Sequence, residues 1–232
     1  MSVIVSTCIQ AVPERLEQVN AQIHSSLSDG VRVFVDRYRQ GPLFGMLETI
    51  KLALSRRATH ILVLEDDLIL CRDFVPGVSA AIEAQPDLPL HYSYLGKSTT
   101  PMPDARFVHL AAWWGSQAYS MPVALAEKFV EFCEDPASGQ ILAAIARAQP
   151  DYRPEMAKRW ALASDVWLRF GLEVLGQPMW HTAPSLAKHG EPEVSTTIFT
   201  IAPDEVTIRQ SPWFIGDTSA LYVEWDAVPA AT

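Results

Sequence analysis

The chain has 232 residues, of which 49% are hydrophobic and 19% charged; that apolar content excludes intrinsic disorder, and the length suits one domain with a sizeable core. A formal net charge of -9 argues against nucleic-acid binding through broad basic patches. Three widely separated cysteines, Cys8, Cys71 and Cys133, fit neither a disulfide framework nor a metal-binding spacing, and no secretory leader or membrane-length apolar run is visible, so a soluble cytoplasmic protein is expected.

In chain order, Val3-Ile4-Val5-Ser6-Thr7 reads as a short buried strand that ends in hydroxyl residues. Pro13-Glu14-Arg15 opens a helix whose apolar positions run through Leu16, Val19 and Ile23. Val31 to Val35 is a second strand, closed by Asp36, and the Gly41-Pro42 turn leads into a helix over Leu43 to Ser55. His60 to Leu64 is the strongest buried strand, followed at once by Glu65-Asp66-Asp67. Strand, helix, strand, helix, strand implies an α/β fold with a mostly parallel, nucleotide-binding sheet flanked by helices. Ligands of such sheets bind beyond the carboxyl ends of the strands, where Ser6-Thr7, Asp36 and the three acids are expected to gather.

Further on, Phe74 to Ala84 is predicted helical, Tyr92 to Leu95 a strand and Thr99 to Asp104 a proline-rich loop. A strand pair is predicted around Val108–Trp114 and Gln117–Ser120, then helices over Val123–Cys133, Ser138–Gln149 and Ser164–Leu175. Trp180 to Ala183 reads as a short strand, with the remainder irregular and the alanine-rich end frayed.

Side chains alternate along a strand, so Glu65 and Asp67 are expected on one face and Asp66 on the other. An acid-x-acid pair presents oxygens to a hard cation, Mn²⁺ or Mg²⁺. The plainer alternative is a strand-end cluster that caps a helix or lies in solvent. Trp113-Trp114 before Gly115 offers an aromatic platform for a sugar, or simply a core residue.

Leu62 to Asp67 followed by Cys71-Arg72-Asp73-Phe74 resembles the acid-x-acid region of type-A-fold glycosyltransferases, in particular short family-2-like enzymes encoded by bacteriophages and the lipopolysaccharide-type transferases. Weak motifs in the family's order extend that resemblance over about the first 200 residues: Pro13-Glu14-Arg15, Val33 to Asp36, Gly41, Trp114-Gly115, Ser164-Asp165 and Pro184 to His189. It implies one domain over residues 1–232, with a nucleotide-sugar half at about 1–100 and an acceptor half at about 101–225. The implied donor is a UDP-sugar or related nucleotide-sugar, contacted by Ser6, Thr7, Asp36 and Asp66, with Arg15 or Arg37 and Lys188 on phosphate. Glu65, Asp67 and His189 would hold the metal, and Asp165 would be the general base, or alternatively an N-terminal helix cap. Gly45 and Met46 stand where the family often has an asparagine. The implied acceptor is a hydroxyl, on a hydroxymethylated DNA base if the chain is phage-encoded (and then in the host cytoplasm) or on a surface glycan. A nucleotidyltransferase is the alternative enzyme, opposed by the lack of a glycine or basic residue in Ser6 to Gln10; a non-catalytic nucleotide-sugar-binding module is the third reading.

Overall fold

The computed structural model describes residues 2–27, 30–94, 100–110, 113, 115–148, 161–190 and 211–225. Its elements in order are β1 (Val5–Ala11), α1 (Leu16–Ser26), β2 (Arg32–Val35), α2 (Pro42–Leu54), β3 (His60–Glu65), β4 (Leu68–Leu70), α3 (Phe74–Ala84), β5 (Leu90–His91), β6 (Phe107–His109), β7 (Ala118–Pro122), α4 (Val123–Glu134), α5 (Ser138–Ala148), α6 (Ser164–Val174), β8 (Trp180–Thr182) and β9 (Ala187–His189). A seven-stranded sheet has the order β2-β1-β3-β7-β5-β8-β6, and β4 and β9 form a separate two-stranded ribbon. The pairings make β2, β1, β3, β5 and β8 run one way and β7 and β6 the other, so the sheet is mostly parallel, as the strand–helix alternation predicts.

The sheet is covered on both faces, which is why β3 is apolar without interruption. Ile61 and Val63 point into a core with α2, α4, α5 and α6, built on Met46, Ile50, Phe129 and Phe170. The alternate residues Leu62 and Leu64 point into a second core with α1 and α3, built on Val19, Val78 and Ile82. Strand alternation thus divides one sequence run between two hydrophobic layers.

Four expectations are corrected. β1 continues to Ala11, because Cys8, Ile9 and Ala11 are fully packed and both neighbours pair along its length; Ser6 and Thr7 lie inside the strand, opposite Ile61 and Leu62. The predicted strand at Tyr92–Leu95 is displaced to Leu90–His91, and Leu95 lies outside the described residues. The strands near Val108 and Gln117 do not pair with each other: β6 pairs with β8, and β7 inserts beside β3. The segment after Trp180 contains β9, which carries His189. Among the described residues, no helix is long and apolar enough to cross a membrane.

A candidate metal centre at the end of β3

β3 keeps its sheet hydrogen bonding to the last residue, where the Glu65 N–H donates to the Gln117 carbonyl at 2.7 Å. Asp66 and Asp67 then form the turn into β4 rather than continuing the strand. Glu65 and Asp67 converge, but through a turn and a ribbon in place of strand alternation, and Asp66 shares the Arg15 Nη1 with Asp67. β4 pairs antiparallel with β9 so that Leu68 lies opposite His189. That register returns a residue distant in sequence to the side of Asp67. The Gly190 N–H donates to the Asp67 carbonyl at 2.6 Å. A Cβ on Gly190 would stand 2.8 Å from the same oxygen, so the close approach requires glycine.

One ligand atom each of Glu65, Asp67 and His189 lies within 4.8 Å of the others. Asp67 is 9% exposed, and its Oδ1 is buried with no hydrogen-bond partner among the described residues. His189 Nδ1 lies 2.8 Å from the Gly190 carbonyl, which can only accept, so Nδ1 carries the proton. Nε2, the other ring nitrogen, then faces Asp67 Oδ2 at 3.3 Å, a contact that either a proton or a cation between the two atoms satisfies. An orphaned carboxylate oxygen, a second carboxylate and an oriented imidazole fit Mn²⁺ or Mg²⁺, the softer imidazole favouring manganese.

Burial, then the Asp67 carboxylate, pushes the Glu65 carboxyl up to about 8, with Asp66 and Asp165 adding to the rise. Opposing it, Ser116 Oγ donates to Glu65 Oε1 at 2.7 Å. Ser116 Oγ also lies 2.8 Å from Ser164 Oγ; its single proton is committed to Glu65, so the Ser164 hydroxyl donates to it. Ser164 opens α6, and the relay therefore ties that helix to the acid cluster.

Arg15 supplies the local positive charge. It follows β1 in a 3-10 turn, Pro13–Arg15, and its Nη1 stands 2.7 Å from Asp66 Oδ1 and 2.8 Å from Asp67 Oδ2. Burial disfavours the charged guanidinium, but Asp67 and Asp66 outweigh it and hold the Arg15 pKa above its usual value. The other Asp66 oxygen accepts from the Val12 N–H at 2.8 Å. Asp66 thus fastens the end of β1 to the end of β3.

The remaining expected site residues are distributed more widely. Ser6 is buried within β1 and Thr7 partly buried beside it, both well before the carboxyl end that Gln10 shares with Glu65. Asp36 is at the end of β2, with its two oxygens accepting from the Gln40 and Gly41 N–H groups at 3.0 Å each, which closes the turn into α2. Arg37 is exposed. Asp165 lies in the first turn of α6, its Oδ1 accepting from the Val166 N–H at 2.9 Å and its Oδ2 from the Gly115 N–H at 3.3 Å. Gly115 has φ +106°, a conformation suited to glycine, so this N–H is aimed by the backbone. Lys188 is next to His189 on β9 and therefore projects to the other side, with its ammonium 5.3 Å from the centre of the Phe214 ring.

Trp113 is not a platform for a sugar. It is 3% exposed and packs against His91 and His181, at ring separations of 5.4 and 5.2 Å. His181 is packed in β8, and burial lowers the pKa of His91 to about 4 and that of His181 well below the usual value. Trp114 lies outside the described residues.

Sequence reasoning missed Ser116 and Gln10. Gln10 packs its side chain over Gly45, where an added Cβ would stand 2.6 Å from Gln10 Nε2. Gly45 is therefore a space-making residue on α2. A polar residue at the true end of β1 was the available signal for Gln10, hidden once the strand was ended at Thr7.

No protein-family model and no curated protein matches the chain. Among solved structures, a mannose-1-phosphate geranyltransferase from Thermus thermophilus is similar, with 12% identity, a TM-score of 0.32, and coverage of 78% of this chain and 74% of that one. A likeness of that strength bears on neither substrate nor chemistry.

Proposed function

We propose that the chain is a metal-dependent glycosyltransferase that moves a sugar from a nucleotide-sugar, a UDP-sugar in the first instance, to a hydroxyl acceptor. The observation that carries this reading is the convergence of Glu65, Asp67 and His189 at the carboxyl ends of parallel strands, with a buried Asp67 oxygen left unpartnered. Glu65, Asp67 and His189 would hold Mn²⁺ or Mg²⁺. When bound, such an ion supplies positive charge to a departing diphosphate. Asp165, on the α6 side of Glu65, is the residue we assign as general base. It takes the proton of the acceptor hydroxyl as that oxygen bonds to the anomeric carbon and the sugar–diphosphate bond breaks. Residues beyond Ala11 and Val35 would hold the nucleoside, with the Asp36-closed turn as one wall.

A nucleotidyltransferase is the second reading, and one observation favours it. With β1 extended to Ala11, the loop that follows contains Arg15, so the expected lack of a basic residue there no longer holds. The loop still lacks glycine. A thermal-shift panel of nucleotide-sugars with Mn²⁺ tests both readings. Stabilisation by at least one donor, abolished by chelator and in Asp67→Ala, is expected. Release of a nucleoside diphosphate from that donor identifies glycosyl transfer, whereas release of pyrophosphate from a nucleoside triphosphate with a sugar phosphate identifies the second reading. No stabilisation by any donor would overturn the metal-dependent reading.

A further inference from the structure

A cation already present at the acid cluster is Arg15, and it contacts a carboxylate of the candidate metal centre on the oxygen that faces His189. Arg15 Nη1 stands 2.8 Å from Asp67 Oδ2, the same oxygen that lies 3.3 Å from His189 Nε2. One carboxylate oxygen is therefore shared between a guanidinium and the imidazole Nε2. A divalent ion drawn to Asp67 and His189 would meet a fixed positive charge within a few ångströms, in a setting where the Arg15 side chain is 13% exposed. Like charges so close and so poorly screened cannot be held without cost.

Arg15 is also held by a second grip. Its contact with Asp66 Oδ1 at 2.7 Å is independent of Asp67, and Asp66 is itself anchored by the Val12 N–H. Breaking the Asp67 contact leaves the guanidinium tethered at the same strand end. The 3-10 turn that carries it begins at Pro13, whose fixed φ holds the backbone while the long side chain moves.

We propose that Arg15 is an exchangeable counter-ion: in the metal-free protein it neutralises Asp67, and on metal binding it gives up Asp67 Oδ2 while remaining on Asp66. The exchange removes one of the carboxylates that Arg15 neutralises and so leaves more positive charge at the strand end, beside the crevice where an anionic diphosphate would be bound. The anion part rests on the function proposed above; the exchange itself rests on the candidate metal centre and the shared Asp67 carboxylate.

The test is titration of the full chain with Mn²⁺ alone, followed by electron paramagnetic resonance of the free ion, for wild type, Arg15→Gln and Arg15→Lys. Removing a competing charge about 4 Å away should tighten Mn²⁺ binding in Arg15→Gln by roughly tenfold or more, with a smaller change in Arg15→Lys. In the wild type, side-chain ¹⁵N resonances of Arg15 should show restricted guanidinium rotation without metal and faster rotation with saturating Mg²⁺, a readout that does not depend on the variants folding. Equal or weaker Mn²⁺ affinity in a folded Arg15→Gln, or an Arg15 signal unchanged by Mg²⁺, would overturn the exchange while leaving the metal centre intact. Absence of Mn²⁺ binding to the wild type would instead overturn the metal centre and the proposed function, and the exchange with them.

Discussion

His189 Nε2 faces Asp67 Oδ2 at 3.3 Å, while the other ring nitrogen, Nδ1, is committed to the Gly190 carbonyl at 2.8 Å. The carbonyl commits the Nδ1 proton and turns Nε2 toward Asp67, the arrangement found around metal-ligating histidines. His189→Ala should therefore weaken Mn²⁺ binding by at least the roughly 10–100-fold seen when outer-shell partners of metal sites are removed. Calorimetric titration with Mn²⁺ measures it; an affinity within twofold of wild type would remove His189 from the site.

Glu65 gives the site a pH signature. Its folded pKa is raised from 4.5 to about 8, so between those values the folded chain binds more protons than the unfolded chain. Stability from this group is present below about pH 4.5 and is lost as pH rises toward 8. The buried neutral histidines act oppositely: with folded pKa values below 6.5, they cost stability as pH falls from 6.5 toward 4. Melting temperature of the metal-free protein should therefore fall from pH 6.5 to 8. Glu65→Gln should flatten that limb and steepen the loss between pH 6.5 and 4.5, where the Glu65 gain otherwise offsets the histidines. Saturating Mn²⁺ should also flatten the alkaline limb, because a ligated carboxylate no longer gains by protonation.

Ser116 predicts a coupled effect on stability and metal affinity. Ser116→Ala removes the hydrogen bond that favours ionised Glu65, and it strands the buried Ser164 hydroxyl. A loss of about 1–3 kcal/mol in denaturant unfolding is expected, with weaker Mn²⁺ binding because Glu65 holds its proton more tightly. Unchanged metal affinity would show that Glu65 does not ligate.

Much of this centre was legible in the sequence because its strongest signals are local. The run Ile61 to Leu64 identifies a doubly covered strand, and three acids directly after it identify a charged strand end. The opening of α6 at Ser164 was likewise clear from amphipathic spacing. The boundary of β1 was not. Ser6 is buried in the sheet with its hydroxyl unpartnered among the described residues, a placement that hydropathy reads as an end. Nor was the ribbon legible, since β4 and β9 have three residues each and exist only by pairing with each other across most of the chain. The resemblance pointed to His189; the register of that ribbon is what brings it to Asp67.

Gly190 tests that register. A methyl group there would stand 2.8 Å from the Asp67 carbonyl oxygen, which belongs to the backbone and cannot swing aside. Gly190→Ala should cost about 1–3 kcal/mol through overpacking and should displace β9 from β4. Because His189 moves with β9, Mn²⁺ affinity should fall together with stability, although no ligand is altered. Retained affinity in a destabilised variant would mean that the ribbon does not position the histidine.

Asp165 separates a chemical role from an architectural one. Its carboxylate accepts from the Val166 and Gly115 N–H groups, so part of its function is to start α6 and hold the Gly115 turn. Asp165→Asn retains an oxygen for one of these bonds but cannot take up a proton at neutral pH. If Asp165 is the base, donor turnover should fall by about 10²–10⁴-fold, while Mn²⁺ and donor affinities stay near wild type. Asp165→Glu should recover some of that loss, since it restores a basic carboxylate at a longer reach. If the residue only supports the turn, the same Asp165→Asn variant should lose melting temperature and keep its turnover. Steady-state donor hydrolysis with a melting curve on each variant decides between the two, because a base shows in kcat and a cap shows in Tm.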